Sequence, residues 1–145
     1  MKKLFTVLVI CFAFVATSNA QQALGLRFGG GTAFGAEISY QKDLGAANRL
    51  EADLGLESSW ASLNGTYQWV KDLSSLADGV KWYYGAGAGI LIGDIVGLGI
   101  NGQLGIEYTL KEIPLQFSLD TRPGYYFGDN YGFGFGASLA ARYKF

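Results

Sequence analysis

The side chains that could do chemistry in this chain are nearly all carboxylates and guanidiniums. Most of them recur at every second position. Glu51 and Asp53 are two apart, the spacing that puts a pair of acids on one face of a strand. Such a pair could serve as general acid and base. The same alternation places Arg27, Glu37, Arg49, Glu57, Glu107, Asp120, Arg122, Arg142 and Lys144 on the corresponding face of their own segments. Acids and bases nearly balance there, so pairing is the expected outcome. An unpaired buried carboxylate costs several kcal/mol. Seven of these residues are expected at an interior charge cluster, either a structural plug or a gate: Arg27, Glu37, Asp53, Glu107, Asp120, Arg122 and Arg142. Arg27 and Glu37 flank the Gly30-Gly31 tip at similar distances and should face each other across adjacent strands.

Other chemistries are poorly supplied. The chain has no histidine, which removes the base of Ser-His and His-Asp mechanisms. Its one cysteine, Cys11, lies in an N-terminal apolar run. Gly85-Ala86-Gly87-Ala88-Gly89 resembles a nucleotide loop only superficially, because it alternates within a strand and opens no helix. Asp94 and Asp129 are lone carboxylates. No catalytic, metal or cofactor site is therefore expected, and no enzyme activity.

The segments that must position these charges begin after a leader. Met1-Lys2-Lys3 is a basic start, Leu4–Val15 an apolar run, and Ser18-Asn19-Ala20 a small-residue cleavage site. Residues 1–20 read as a cleaved signal peptide and 21–145 as one domain. The acidic balance that remains gives no footprint for nucleic acid. With Cys11 removed there is no disulfide, so stability must come from elsewhere.

Residues 21–145 divide into eight period-two segments, at about 23–30, 34–42, 49–58, 63–71, 81–92, 96–110, 115–127 and 133–145. Each approaches the ~9–11 residues that cross a bilayer at a tilt. Short connections make consecutive strands antiparallel neighbours. An eight-stranded meander satisfies all its backbone groups only by closing into a barrel. Pro123 is a misfit in a closed barrel and predicts a bulge or a position at the rim.

Two barrels fit this alternation: a soluble carrier with an apolar cavity, and a membrane barrel with an apolar exterior. Glycine decides between them. The polar face carries Gly25, Gly55, Gly85, Gly87, Gly89, Gly99 and Gly105 among others. Bare glycine gains nothing on a water-facing strand. Inside a narrow barrel it makes room for Arg, Tyr and Gln. Aromatics on the apolar face gather in two belts. Tyr40, Trp69, Trp82, Tyr108, Tyr143 and Phe145 fall at one end, and Phe28, Phe34, Tyr125, Phe127 and Phe133 at the other. Two belts flanking an aliphatic middle suit interfacial anchoring.

The strand count, the short Gly45-Ala46-Ala47-Asn48 type of turn and the ending Ala140-Ala141-Arg142-Tyr143-Lys144-Phe145 resemble the small bacterial outer-membrane barrels of the OmpX and OmpA-transmembrane-domain type. The likeness extends to the compact porin-like barrels of Bacteroidota. It implies an all-β, eight-stranded antiparallel up-and-down transmembrane barrel in the outer membrane, with periplasmic termini. This chain departs from the pattern in its outer loops (30–33, 58–62, 93–95 and 128–131), which are all short where OmpX-type barrels often project long strands or loops, and that argues against a dedicated adhesive surface. It also implies that Tyr143 and Phe145 form the signal read by the barrel-assembly machinery. The expected partners are that machinery, membrane lipid and lipopolysaccharide, and the expected state is a monomer. The expected function is structural or surface-interacting, with a side-chain-plugged interior. The alternatives are a low-conductance porin-like channel for ions or small solutes, and a secreted soluble carrier of an apolar ligand.

Overall fold

The computed structural model describes residues 22–30, 35–45, 47–56, 59–94, 96–128 and 132–145. Residues 1–20, expected to form a signal peptide and including Cys11, lie outside the described residues, as do Phe34 and Glu57. The chain forms β1 (Gln22–Gly30), β2 (Ala36–Gly45), β3 (Asn48–Leu56), β4 (Ala61–Asp72), β5 (Val80–Ile92), β6 (Val96–Thr109), β7 (Leu115–Thr121), β8 (Gly124–Phe127), β9 (Phe133–Gly134) and β10 (Ala137–Lys144). β7 with β8 makes one crossing of the wall, and β9 with β10 makes another. The barrel therefore has eight staves. Each pairs antiparallel with its chain neighbour, and β1 pairs with β10 to close the circle. Beyond the last rung, Gln22 and Phe145 exchange two backbone hydrogen bonds of 3.1 and 2.9 Å, so the seam is stitched to the terminal residue.

The alternating sequence becomes an inverted partition. Polar side chains point inward and are buried, among them Arg27, Ser39, Gln41, Glu51, Asp53, Gln68, Gln116 and Arg142. Apolar side chains point outward and are exposed: Leu26, Leu54, Leu63, Leu98, Ile100, Leu104 and Leu119, with Leu139 at 62 % and Phe133 at 72 %. Among the described residues the buried hydrophobic ones are few: Ala23, Tyr83 and Ala140. The soluble-carrier alternative requires an apolar cavity, and the inward face is the wrong one for it.

Pro123 interrupts the seventh stave without a bulge. Thr121 faces Leu104 and Gly124 faces Asn101, so equal numbers of residues separate the two rungs on each strand. The register toward the eighth stave is likewise unchanged, with Ala137 opposite Thr121 and Gly134 opposite Gly124. The missing proline N–H merely removes ladder bonds. Neighbouring groups compensate: the Gly102 N–H donates to the Pro123 carbonyl (2.8 Å) and the Arg122 N–H to Gly136 (3.0 Å). The expected bulge is thus replaced by a gap with continuous register. A true irregularity occurs between Asp43 and Gly45, where Gly45 adopts φ 82° at the β2–β3 turn.

Inward glycines leave space for large neighbours. A Cβ on Gly105 would lie 2.5 Å from Cζ of the Tyr83 ring and 2.6 Å from Asp120 Cβ. Tyr83 is fully buried, and its hydroxyl donates to Asp120 at 2.7 Å. Gly105→Ala should therefore force the ring off its hydrogen bond and cost about 2 kcal/mol. The denaturant midpoint of the folded barrel should fall accordingly, while Gly65→Ala, on the outer face with no atom within 4 Å, should leave it unchanged.

Candidate functional site

Parity delivers charges into the barrel, and register sets which of them meet. Arg27 lies opposite Glu37 on β2, and its Nε is 3.3 Å from a Glu37 carboxylate oxygen. The rest of the guanidinium reaches across the lumen. Nη1 donates to Asp120 at 2.9 Å and to Glu51 at 3.4 Å, and Nη2 to Asp120 and to the Ser138 hydroxyl. Arg122, in the gap between β7 and β8, binds Asp53 and Glu51 (3.2 Å) and lies 3.8 Å from Glu37. Arg142 on β10 donates to Glu51 at 2.9 Å, Ser39 at 2.9 Å and Ser118 at 2.8 Å.

Glu51 is the hub. Its two oxygens accept from Arg27, Arg122, Arg142, Gln41 (2.6 Å) and Gln103 (2.9 Å). The residues expected at the cluster are mostly brought together: Arg27, Glu37, Asp53, Asp120, Arg122 and Arg142. Glu107 lies apart, nearer the termini, paired with Arg49 at 2.8 Å. Arg49 also donates to Gln68 (2.6 Å) and sits 5.0 Å above the Tyr83 ring. Gln68 donates to Gln103 (2.7 Å), which links this lower pair to Glu51. The sequence reading placed Glu51 and Arg49 on the inner face but left them out of the cluster. No signal in the sequence singles out Glu51, because the stagger between staves sets the height at which side chains meet.

Two cavities adjoin the cluster. One of about 30 Å³ is lined by Glu37, Ser62, Asn64, Arg122 and Tyr126. The other, about 280 Å³, opens at the end carrying the termini and is lined by Asp43, Arg49, Asp72, Lys81, Glu107 and Lys144. Ion pairs and amides fill the space between. Seven buried polar atoms have no hydrogen-bond partner among the described residues: Arg49 Nη2, Asp53 Oδ1, Ser62 Oγ, Asn101 Oδ1, both polar atoms of the Gln116 side chain, and Arg122 Nε.

The aromatic residues occupy the outer wall. At the termini-bearing end, Tyr67, Trp69, Tyr84 and Trp82 form a continuous cluster with ring centroids 5.0, 5.3 and 5.5 Å apart. Tyr40, Tyr108, Tyr143 and Phe145 lie at the same end, Tyr143 more than half exposed. At the other end Tyr125 and Phe127 pack edge to face at 5.2 Å, with Phe133 exposed in register with Tyr125, and Phe28 is exposed on β1 in register with Leu139. Tyr67, Tyr84 and Phe135 also belong to this outer aromatic set and were not anticipated as belt residues.

If Glu51 holds the cluster together, its neutral isostere should be the most damaging single change. Glu51→Gln leaves Arg142 with hydroxyl partners only, while Arg27 keeps Asp120 and Glu37. Removing one partner of a buried pair costs about 3–5 kcal/mol. Urea unfolding of the purified barrel should place Glu51→Gln well below both wild type and Glu37→Gln. Equal midpoints for the two variants would mean the charge is shared without a hub.

No protein-family model and no curated protein matches the sequence. Among solved structures, the chain is similar to Neisserial surface protein A, with a TM-score of 0.52 and 15% identity over 87% of this chain and 96% of that one. At that identity the likeness shows a shared fold: the closed, eight-stranded antiparallel up-and-down barrel described above.

Proposed function

We propose that this chain is an integral outer-membrane barrel of the small OmpX and OmpA-like type, with an ion-paired plug inside and a structural or surface-interacting role outside. The observation that carries this reading is the inverted partition: leucines, isoleucines and aromatics exposed around the wall, charges and amides within. Water would not tolerate that wall, whereas lipid requires it. The likeness to a surface protein agrees with it. A non-catalytic role is supported by the pairing of Glu51 and Asp53, which are both buried and both ion-paired to arginine.

A second reading, a narrow conducting path, is favoured by the seven unpartnered polar atoms. They are spread along the interior, from Ser62 and Arg122 beside the small cavity to Arg49 beside the larger one. Buried groups of this kind are commonly bridged by water. Planar-bilayer recording separates the two. The plug predicts negligible conductance for wild type and larger events for Arg122→Ala, which opens the wall of the small cavity. Steady channels from the unmodified protein would transfer the function to passive transport.

The termini-bearing end is proposed to face the periplasm. The only cysteine lies in the leader, so single-cysteine variants report topology cleanly. Asp94→Cys should react with a membrane-impermeant maleimide on intact cells. Ser75→Cys, in the β4–β5 connection, should react only after permeabilisation. The reverse pattern would invert the orientation.

A further inference from the structure

Beyond the leader the chain has five lysines, and all lie at one end of the barrel. Lys42 is near the end of β2, Lys71 near the end of β4, Lys81 at the start of β5, Lys111 in the β6–β7 connection and Lys144 at the end of β10. This is the end that carries the termini. The segments joining strands at the opposite end (31–35, 57–60, 93–95 and 128–132) hold Glu57, Asp94 and Asp129 in sequence and no lysine or arginine.

The five lysines divide by direction. Lys81 and Lys144 point inward and line the larger cavity with Asp43 and Asp72. Lys111 is paired with Asp78 at 2.7 Å. Lys42 and Lys71 are exposed on the outer face, and neither has an ion-pair partner among the described residues. Each follows an aromatic residue by two positions on the same face, Lys42 after Tyr40 and Lys71 after Trp69. Lys71 also lies in register with Trp82, against the Tyr67–Trp69–Tyr84–Trp82 cluster. Two residues of strand displace the lysine by about 6.7 Å beyond the ring. An amphipathic ring at the edge of an apolar band, with an unpaired ammonium just beyond it, matches a lipid's acyl–headgroup boundary.

We infer that Lys42 with Tyr40, and Lys71 with Trp69 and Trp82, form two separate sites for the anionic headgroup of a glycerophospholipid. β3 lies between the two sites, so each takes its own lipid. This inference rests on the membrane reading above and adds the lipid class that meets this end. A protein partner would need these lysines beside a polar or irregular surface. Here they border a continuous apolar wall, Tyr40 above Lys42 and the aromatic cluster above Lys71.

The test uses the whole processed barrel in nanodiscs of phosphatidylcholine containing phosphatidylglycerol as the minor component. Native mass spectrometry then counts the lipids retained after release. Wild type should retain phosphatidylglycerol in preference to phosphatidylcholine. Lys42→Gln and Lys71→Gln should each reduce retention at one site by about fivefold, the effect of one lysine near an anionic surface. Their effects should be independent, and Lys111→Gln should change nothing. Equal retention of the two lipids, or a preference that survives Lys42→Gln/Lys71→Gln, would overturn the inference. Failure of the barrel to enter nanodiscs would instead overturn the membrane reading. All three positions are at the barrel's rim, and unboiled gel mobility verifies folding of each variant.

Discussion

Eight strands closed on themselves enclose a lumen only a few side chains wide. Any charge admitted there must be answered by another charge from across the barrel. That constraint orders most of what is seen. Among the described residues, four arginines meet five carboxylates inside: Glu37, Glu51, Asp53, Glu107 and Asp120. Desolvating such groups costs several kcal/mol each, and ion pairing repays this only when the remaining donors and acceptors are also met. Gln41, Gln68, Gln103, Ser39, Ser118 and Ser138 supply those contacts. The interior is therefore a polar core in the place of an apolar one. Its hub, Glu51, ties β1, β2, β6, the β7–β8 gap and β10 to one carboxylate.

The architecture was legible in the sequence because one rule governs every stave. Period-two alternation leaves a single choice of face, and a shift by one residue would bring every leucine inside. For this reason the faces of β4 and β5 come out as read, down to Thr66, Gln68 and Tyr83 inside and Tyr67, Trp69 and Tyr84 outside. Strand ends were less legible. β2 was expected to stop at Lys42 and continues to Gly45, because the irregularity at Asp43 is a property of pairing with β3. Pro123 was expected to mark a bulge or the rim. Both neighbours hold the register instead, a constraint that lies in other parts of the chain.

The cluster was legible in part of its membership, without its hub Glu51, and illegible in connectivity. Alternation says that Arg27, Glu51 and Asp120 all point inward, but it does not say how far along the barrel each lies. Stagger between staves sets that height. Arg27 faces Glu37 in register, as their distances from the tip suggest. Its stronger partner, Asp120, is 93 residues away and meets it only because β10 stands between β1 and β7. Glu107 and Arg49 form their own pair for the same reason: the stagger carries them toward the termini-bearing end, below Glu51. Long side chains that bridge a lumen need the closed geometry before their partners can be named.

The two kinds of cation in the chain are sorted by their physics. Every arginine is inside the wall, and every lysine among the described residues is at one rim. A guanidinium is planar, weakly hydrated and able to bind several oxygens at once, so it tolerates burial among carboxylates and hydroxyls. Arg142 uses all three of its nitrogens in this way. An ammonium is compact and strongly hydrated, and its stem lets it reach water from beside an apolar surface. Lysine at Arg142 could not span Ser39, Ser118 and Glu51 together. Arginine at Lys71 would keep the charge and lose little, since nothing there demands a fixed fork. The interior thus depends on the shape of its cations as well as their charge. At the rim, only charge and reach are required.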